Sequence, residues 1–188
     1  MPTGDVLRHY APSVEPIALT ELHPLVAAAV KAAGLEIEVL RCDADLADTE
    51  AFCRAYAIAP EDSVNTILVA GKGGSLAGVV LVACAVLATD RLDVNGVVRR
   101  RLGAKKASFA SPDVAVAATA MERGGVTVLG LRDEIPVWID ARVMARERVV
   151  LGGGNRTSKL RLAPGQLTSV CGFEVVDGLA LAAPLGEA

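Results

Sequence analysis

Apolar and charged residues alternate over Leu35–Leu40, the period of a strand with one face buried. Before it, Thr20 is a capping residue and Gly34 a stop, which predicts a helix over 20–33. Asp43, Asp45, Asp48 and Glu50 lie where a helix dipole favours acids, at the start of a second helix over 49–57 that Pro60 closes off. Val64–Ala70 and the long apolar run Gly78–Ala88 flank the turn Gly71-Lys72-Gly73-Gly74 and predict a hairpin. Asp93 caps a short helix over 94–102 that Gly103 ends, and 106–110 is a short strand. Ser111 followed by Pro112 is an N-cap with proline at the first helical position, opening a helix to about Met121. A loop begins at Gly124-Gly125, strands are predicted at 135–140, 148–151 and 159–162, and 164–167 is a helical turn. Residues 168–188 read as a small strand and tail. Residues 1–18, with three prolines and no periodicity, read as an extended lead-in. Helices and strands do not alternate regularly and a hairpin sits mid-chain. The expected fold is therefore α+β, a curved mixed sheet with helices around it, built as one domain over 1–188.

Composition sharpens that picture. The 188 residues are 52% hydrophobic but contain only six aromatic side chains, so the core must be Ala, Val, Leu and Ile. Mean hydropathy is +0.43, yet the longest apolar stretch, Leu76–Ala88, is well short of the roughly 20 residues a spanning helix needs. The N-terminus has no basic segment followed by an apolar one. A soluble, cytoplasmic protein with no membrane partner is expected. A net charge of −3 argues against non-specific coating of nucleic acid, DNA included, while leaving room for a local basic patch. Cys42, Cys53, Cys84 and Cys171 form no Cys-x-x-Cys pair, which excludes zinc-ribbon and thioredoxin-type sites and implies free thiols.

Candidate chemistry is narrowed by elimination. The two histidines, His9 and His23, lie within the first 23 residues, and Cys84 sits in the most apolar strand, so a hydrolytic triad is not expected. The acids at 43–50 lack the EF-hand glycine and terminal glutamate, and no metal or cofactor is expected. Gly71–Gly74 lacks the phosphate-loop pattern. Gly152-Gly153-Gly154-Asn155 joins two strands and is either a plain turn or a loop whose unshielded N–H groups meet a phosphate or an ester oxyanion. In 97–106 a helix would turn Arg99 and Arg100 outward. With Lys105 and Lys106 they form either a phosphate-facing patch or a solvated face.

Several stretches, in this order and spacing, resemble one family: 48–58, Val64–Ala70, Asp93–Ala110, Thr119–Leu131, Pro136–Asp140 and Gly152–Leu162. The chain is similar to the YbaK-type aminoacyl-tRNA deacylases, related to the editing domain of bacterial prolyl-tRNA synthetase, over about 47–167. The resemblance implies a barrel-like form of that curved mixed sheet, and hydrolysis of the ester linking a wrongly attached amino acid to the 3′ acceptor end of tRNA, with tRNA(Pro)-type substrates. It implies a site made of Asn65, Gly124, Gly125, Thr127 and Asp140, with Val128, Gly152, Gly153, Gly154 and Asn155 binding substrate. Arg99, Arg100 and Lys105 would then meet the tRNA. An activated ester needs little more than a positioned water, oxyanion donors and a selective pocket, so the missing triad is compatible with this.

The chain departs from the family twice. Asn65 stands where the family usually has a lysine, and the glycine loop runs through Val126-Thr127 into Val128 where the family usually has a proline. The alternative expectation is a non-catalytic paralogue that binds aminoacyl-tRNA or a synthetase.

Overall fold

The computed structural model describes residues 17–182. The expected lead-in and the end of the tail lie almost wholly outside the described residues. Helix α1 (Pro24–Ala32) starts four residues later than predicted, because His23 is its N-cap, accepting from the Leu25 N–H at 3.4 Å, and Pro24 takes the first helical position. Thr20 belongs instead to a separate 3₁₀ turn, Leu19–Glu21. Then follow β1 (Glu38–Arg41), α2 (Thr49–Tyr56) and the hairpin of β2 (Val64–Lys72) with β3 (Val79–Leu87), in register from Val64 opposite Leu87 to Lys72 opposite Val79.

After β4 (Asp90–Leu92), the Asp93 carboxylate accepts from the Gly96 and Val97 N–H groups at 2.8 and 3.1 Å. It thereby caps a π-helical turn, Val94–Val98, that runs into α3 (Arg99–Arg101). The edge strand β5 (Lys106–Phe109) precedes α4 (Pro112–Thr119), capped by Ser111 Oγ as predicted. The remaining elements are β6 (Val137–Asp140), α5 (Ala141–Met144), β7 (Val149–Gly152), β8 (Ser158–Leu162), a 3₁₀ segment Pro164–Ser169, β9 (Phe173–Val176) and β10 (Ala180–Ala182). Elements β4 and α5 escaped the pattern because three or four residues carry no period.

The fold is mixed α+β. Strands β5-β2-β3-β6-β9 form one sheet, parallel at β3–β6 and β6–β9 and antiparallel elsewhere; β1-β8-β7 and β10-β4 form two antiparallel sheets. Strand β3 is buried on both faces, which explains its unbroken apolar run. One of its faces, with Ala83 and Ala85, packs into the main core against α1, β7 and β8; the other, with Val82, Cys84 and Val86, packs with Val98, Trp138 and Leu179. Among the described residues no helix is long and apolar enough to cross a membrane.

The outer edge of β2 positions the site. Its C-terminal half, Val69–Lys72, pairs with β5, while Ser63, just before the strand, makes an isolated parallel bridge to Val150 of β7. Between these two attachments, Asn65–Ile67 has no strand neighbour on that edge among the described residues, and the sheet splits open.

Candidate active site

A cavity of about 450 Å³ fills that split. Its walls come from Ser63–Leu68 of the β2 region, Phe109 and Ala110 at the end of β5, and Val150–Gly152 of β7. Asp48 and Thr49 at the start of α2, Pro112, Ala115 and Val116 of α4, Arg123, Gly124 and Val126 of the following loop, and Lys159 of β8 complete it.

Asn65 lies in the wall with its side-chain oxygen accepting from Thr49 Oγ1 at 2.6 Å. That bond orients the amide, and its NH₂ group meets no acceptor among the described residues. The two glycine segments dock backbone to backbone. The Gly154 N–H donates to Gly125 O at 2.8 Å, and a Cβ on Gly152 would lie 2.7 Å from Val126 O. A Cβ on Gly125 would collide with the backbone of Asn155, so glycine is required by close approach on both sides.

This docking corrects one expectation. The N–H groups of Gly125, Gly153 and Gly154 are not free donors, because they are bonded to Glu122 O, Ser158 O and Gly125 O. Gly124 (φ +83°) is different: it lines the cavity, and its N–H meets no acceptor among the described residues.

Of the residues singled out from the sequence, Asn65, Gly124 and Gly152 line the cavity; Gly125, Thr127, Val128, Asp140, Gly153, Gly154 and Asn155 are not among its lining residues. Thr127 and Val128 are fully buried, and Thr127 Oγ1 has no hydrogen-bond partner among the described residues. Asp140 is also fully buried, and its carboxylate accepts from the Arg142 N–H and the Ala180 N–H, both at 2.8 Å. Asn155 organises the β7–β8 turn, accepting from Ser158 Oγ at 2.7 Å and donating to Glu21 O at 2.8 Å. Cys84 is inert core, its thiol pushed up to about 12 by burial.

The side chain that sequence reasoning missed is Lys159. The alternation of Lys159-Leu160-Arg161-Leu162 turns the leucines inward and the charges outward, and nothing in it shows that α2 covers the outward face. In the structure Lys159 is only 6% exposed, its ammonium 5.3 Å from the centre of the Phe52 ring. Nζ donates to Ala47 O at 2.6 Å and, over a longer 3.4 Å, to Gly124 O. No carboxylate lies within 4 Å of it among the described residues. Burial pushes the ammonium below its ordinary pKa, and Cys42 and Asp48 oppose that shift. A buried ammonium bonded only to two carbonyls, with a third N–H to spare, is suited to an anionic oxygen entering the cavity.

Comparison with known proteins identifies the family. The model of the aminoacyl-tRNA editing domain matches residues 43–170, which contain every cavity-lining residue. The chain belongs to the aminoacyl-tRNA editing domain family. Solved structures share the fold of this editing domain. One, a candidate trans-editing enzyme for prolyl tRNA synthetase, is 23% identical with a TM-score of 0.69, over 84% of this chain and 98% of that one. Another, described as a hypothetical protein, is 22% identical with a TM-score of 0.73, over 84% of this chain and 99% of that one.

Proposed function

We propose that this editing domain acts in trans as a deacylase, hydrolysing the ester of mischarged tRNA, with tRNA(Pro)-type substrates. The observation that carries the reading is the meeting of an unpaired ammonium, an oriented carboxamide and a glycine loop in one cavity. In this scheme water adds to the ester carbonyl and the tetrahedral oxyanion receives hydrogen bonds from Lys159, the Asn65 NH₂ group and the Gly124 N–H. The C–O bond to the terminal ribose then breaks, the neighbouring ribose hydroxyl assisting proton transfer, to give free amino acid and tRNA with its hydroxyl restored. Asp48, exposed at the cavity wall, supplies the carboxylate that a protonated α-amino group pairs with. Lys159 replaces, from β8, the charge that Asn65 does not carry on β2.

The test is incubation of the purified protein with mischarged tRNAs, alanyl- and cysteinyl-tRNA(Pro) among them, following release of labelled amino acid. Turnover of at least one substrate is the expected result. Silence across the panel with tRNA binding retained would leave the non-catalytic paralogue as the better reading.

A further inference from the structure

A second concave surface, a groove of about 670 Å³, adjoins the C-terminal half of β2 and the edge strand β5. Its lining includes Lys72, Arg99, Lys105 and Lys106, and three of the chain's five lysines are gathered there although the net charge is −3. None of the four cations has a carboxylate within 4 Å among the described residues. Arg101, by contrast, is engaged: it pairs with Glu174 and stacks over Trp138 at 5.2 Å.

The placement of the lysines works against folding. Lys72 and Lys106 are direct partners across the β2–β5 ladder, where opposite Cβ atoms are about 5 Å apart and like charges repel. The Lys105 N–H donates to Lys72 O, so a third lysine of the groove lining adjoins the pair through its backbone. Such a cluster is relieved by a polyanion, which exchanges its counterions for the lysines.

Phe109 joins this groove to the candidate active site. It ends β5, one residue beyond the groove's Ser108, and is 60% exposed, an unusual setting for one of only three phenylalanines. It lines the active-site cavity and also a small hollow that shares Asn95 with the groove. An exposed aromatic ring at one end of a cationic track is the arrangement that receives single-stranded nucleic acid, with phosphates on the cations and a base on the ring.

We propose that this groove seats the single-stranded RNA immediately preceding the reacting end, with phosphates on Lys72, Arg99, Lys105 and Lys106 and a base stacked on Phe109. The inference rests on the deacylase reading for the identity of the strand. It redraws the expected tRNA surface around Lys72, Lys106 and Phe109, with Arg100 outside it.

The experiment is fluorescence anisotropy of an uncharged, labelled single-stranded RNA ending in CCA, titrated with the full chain over a range of salt. The triple variant Lys72→Gln, Lys105→Gln, Lys106→Gln should flatten the log–log salt slope by about 2, at roughly 0.7 per lost phosphate contact. Phe109→Ala should weaken binding about 5- to 150-fold and leave the slope unchanged, while barely affecting a blunt RNA duplex. Lys31→Gln, an exposed change on α1, should alter neither. Thermal melting of the triple variant should match or exceed wild type, since a repulsive cluster is removed. An unchanged slope in a folded triple variant overturns the groove, as does wild-type RNA affinity in Phe109→Ala for the stacking contact. Because no turnover is read, a groove effect without deacylation would fail the deacylase reading alone. Deacylation with an unchanged slope would fail the groove alone.

Discussion

Lys159 carries an unusual combination: deep burial, no carboxylate partner among the described residues, and two carbonyl bonds that leave an N–H to spare. Lys159→Met should reduce kcat/KM for deacylation by about 10- to 150-fold, the equivalent of one charge-assisted hydrogen bond of about 1.5–3 kcal/mol. Thermal stability should not fall in proportion, because the substitution also removes the desolvation cost of the ammonium. The pH dependence has a definite sign. Burial lowers the native pKa below the ordinary 10.5, so over the interval between the two values the unfolded chain binds more protons. Stability therefore rises with pH through that interval, and the cost of burying the charge is in full force below it. Denaturant melts across the alkaline range should show this rise in wild type and none in Lys159→Met. The kcat profile of wild type should fall as the ammonium is lost, and Lys159→Arg should move that fall to higher pH.

At the scale of elements, the site depends on two glycine-containing turns whose backbones meet directly. The β7–β8 turn and the loop at 124–126 approach each other closely enough for Gly154 N–H to bond Gly125 O. Gly125→Ala would press a methyl group onto the Asn155 backbone, which cannot rotate away as a side chain tip would. The expected loss is about 1–3 kcal/mol of stability, with deacylation falling further as Gly124 is displaced. Gly165→Ala is the matched control: its Cβ would meet nothing within 4 Å, so urea melts should place it near wild type or slightly above.

Across the whole molecule, Asp140 is a tie between distant parts of the chain. Its carboxylate receives the Arg142 N–H at the start of α5 and the buried Ala180 N–H of β10, and Arg142 also reaches Asp90 of β4 at 3.2 Å. Asp140→Ala should cost about 2–3 kcal/mol in chemical denaturation, mainly from the stranded Ala180 N–H, since Arg142 is partly solvated and its pairing is discounted. If the loss of activity simply tracks the folded fraction, Asp140 holds the architecture together; a loss of kcat in fully folded protein would assign it to the chemistry.

Much of this was legible in the chain. Asp93, Ser111-Pro112, Gly34 and the apolar run of β3 act through local backbone chemistry, and the caps, stops and hairpin they announce are present. The curved mixed sheet followed from the order of elements, while Asn65, Gly124 and Gly152, which line the cavity, were pointed to by the family resemblance. Three matters depended on packing between residues far apart in sequence. Whether a glycine N–H is free or spent was decided by the docking of residues 124–126 against 152–154. Whether Lys159 faces water or a cavity was decided by α2, more than a hundred residues earlier, closing over β8. The meeting of Lys72 with Lys106 was decided by the register of β5 on β2. Local sequence determines what each segment can form, because capping and side-chain period act over a few residues; which groups become buried, paired or left facing a cavity is set only when the segments pack.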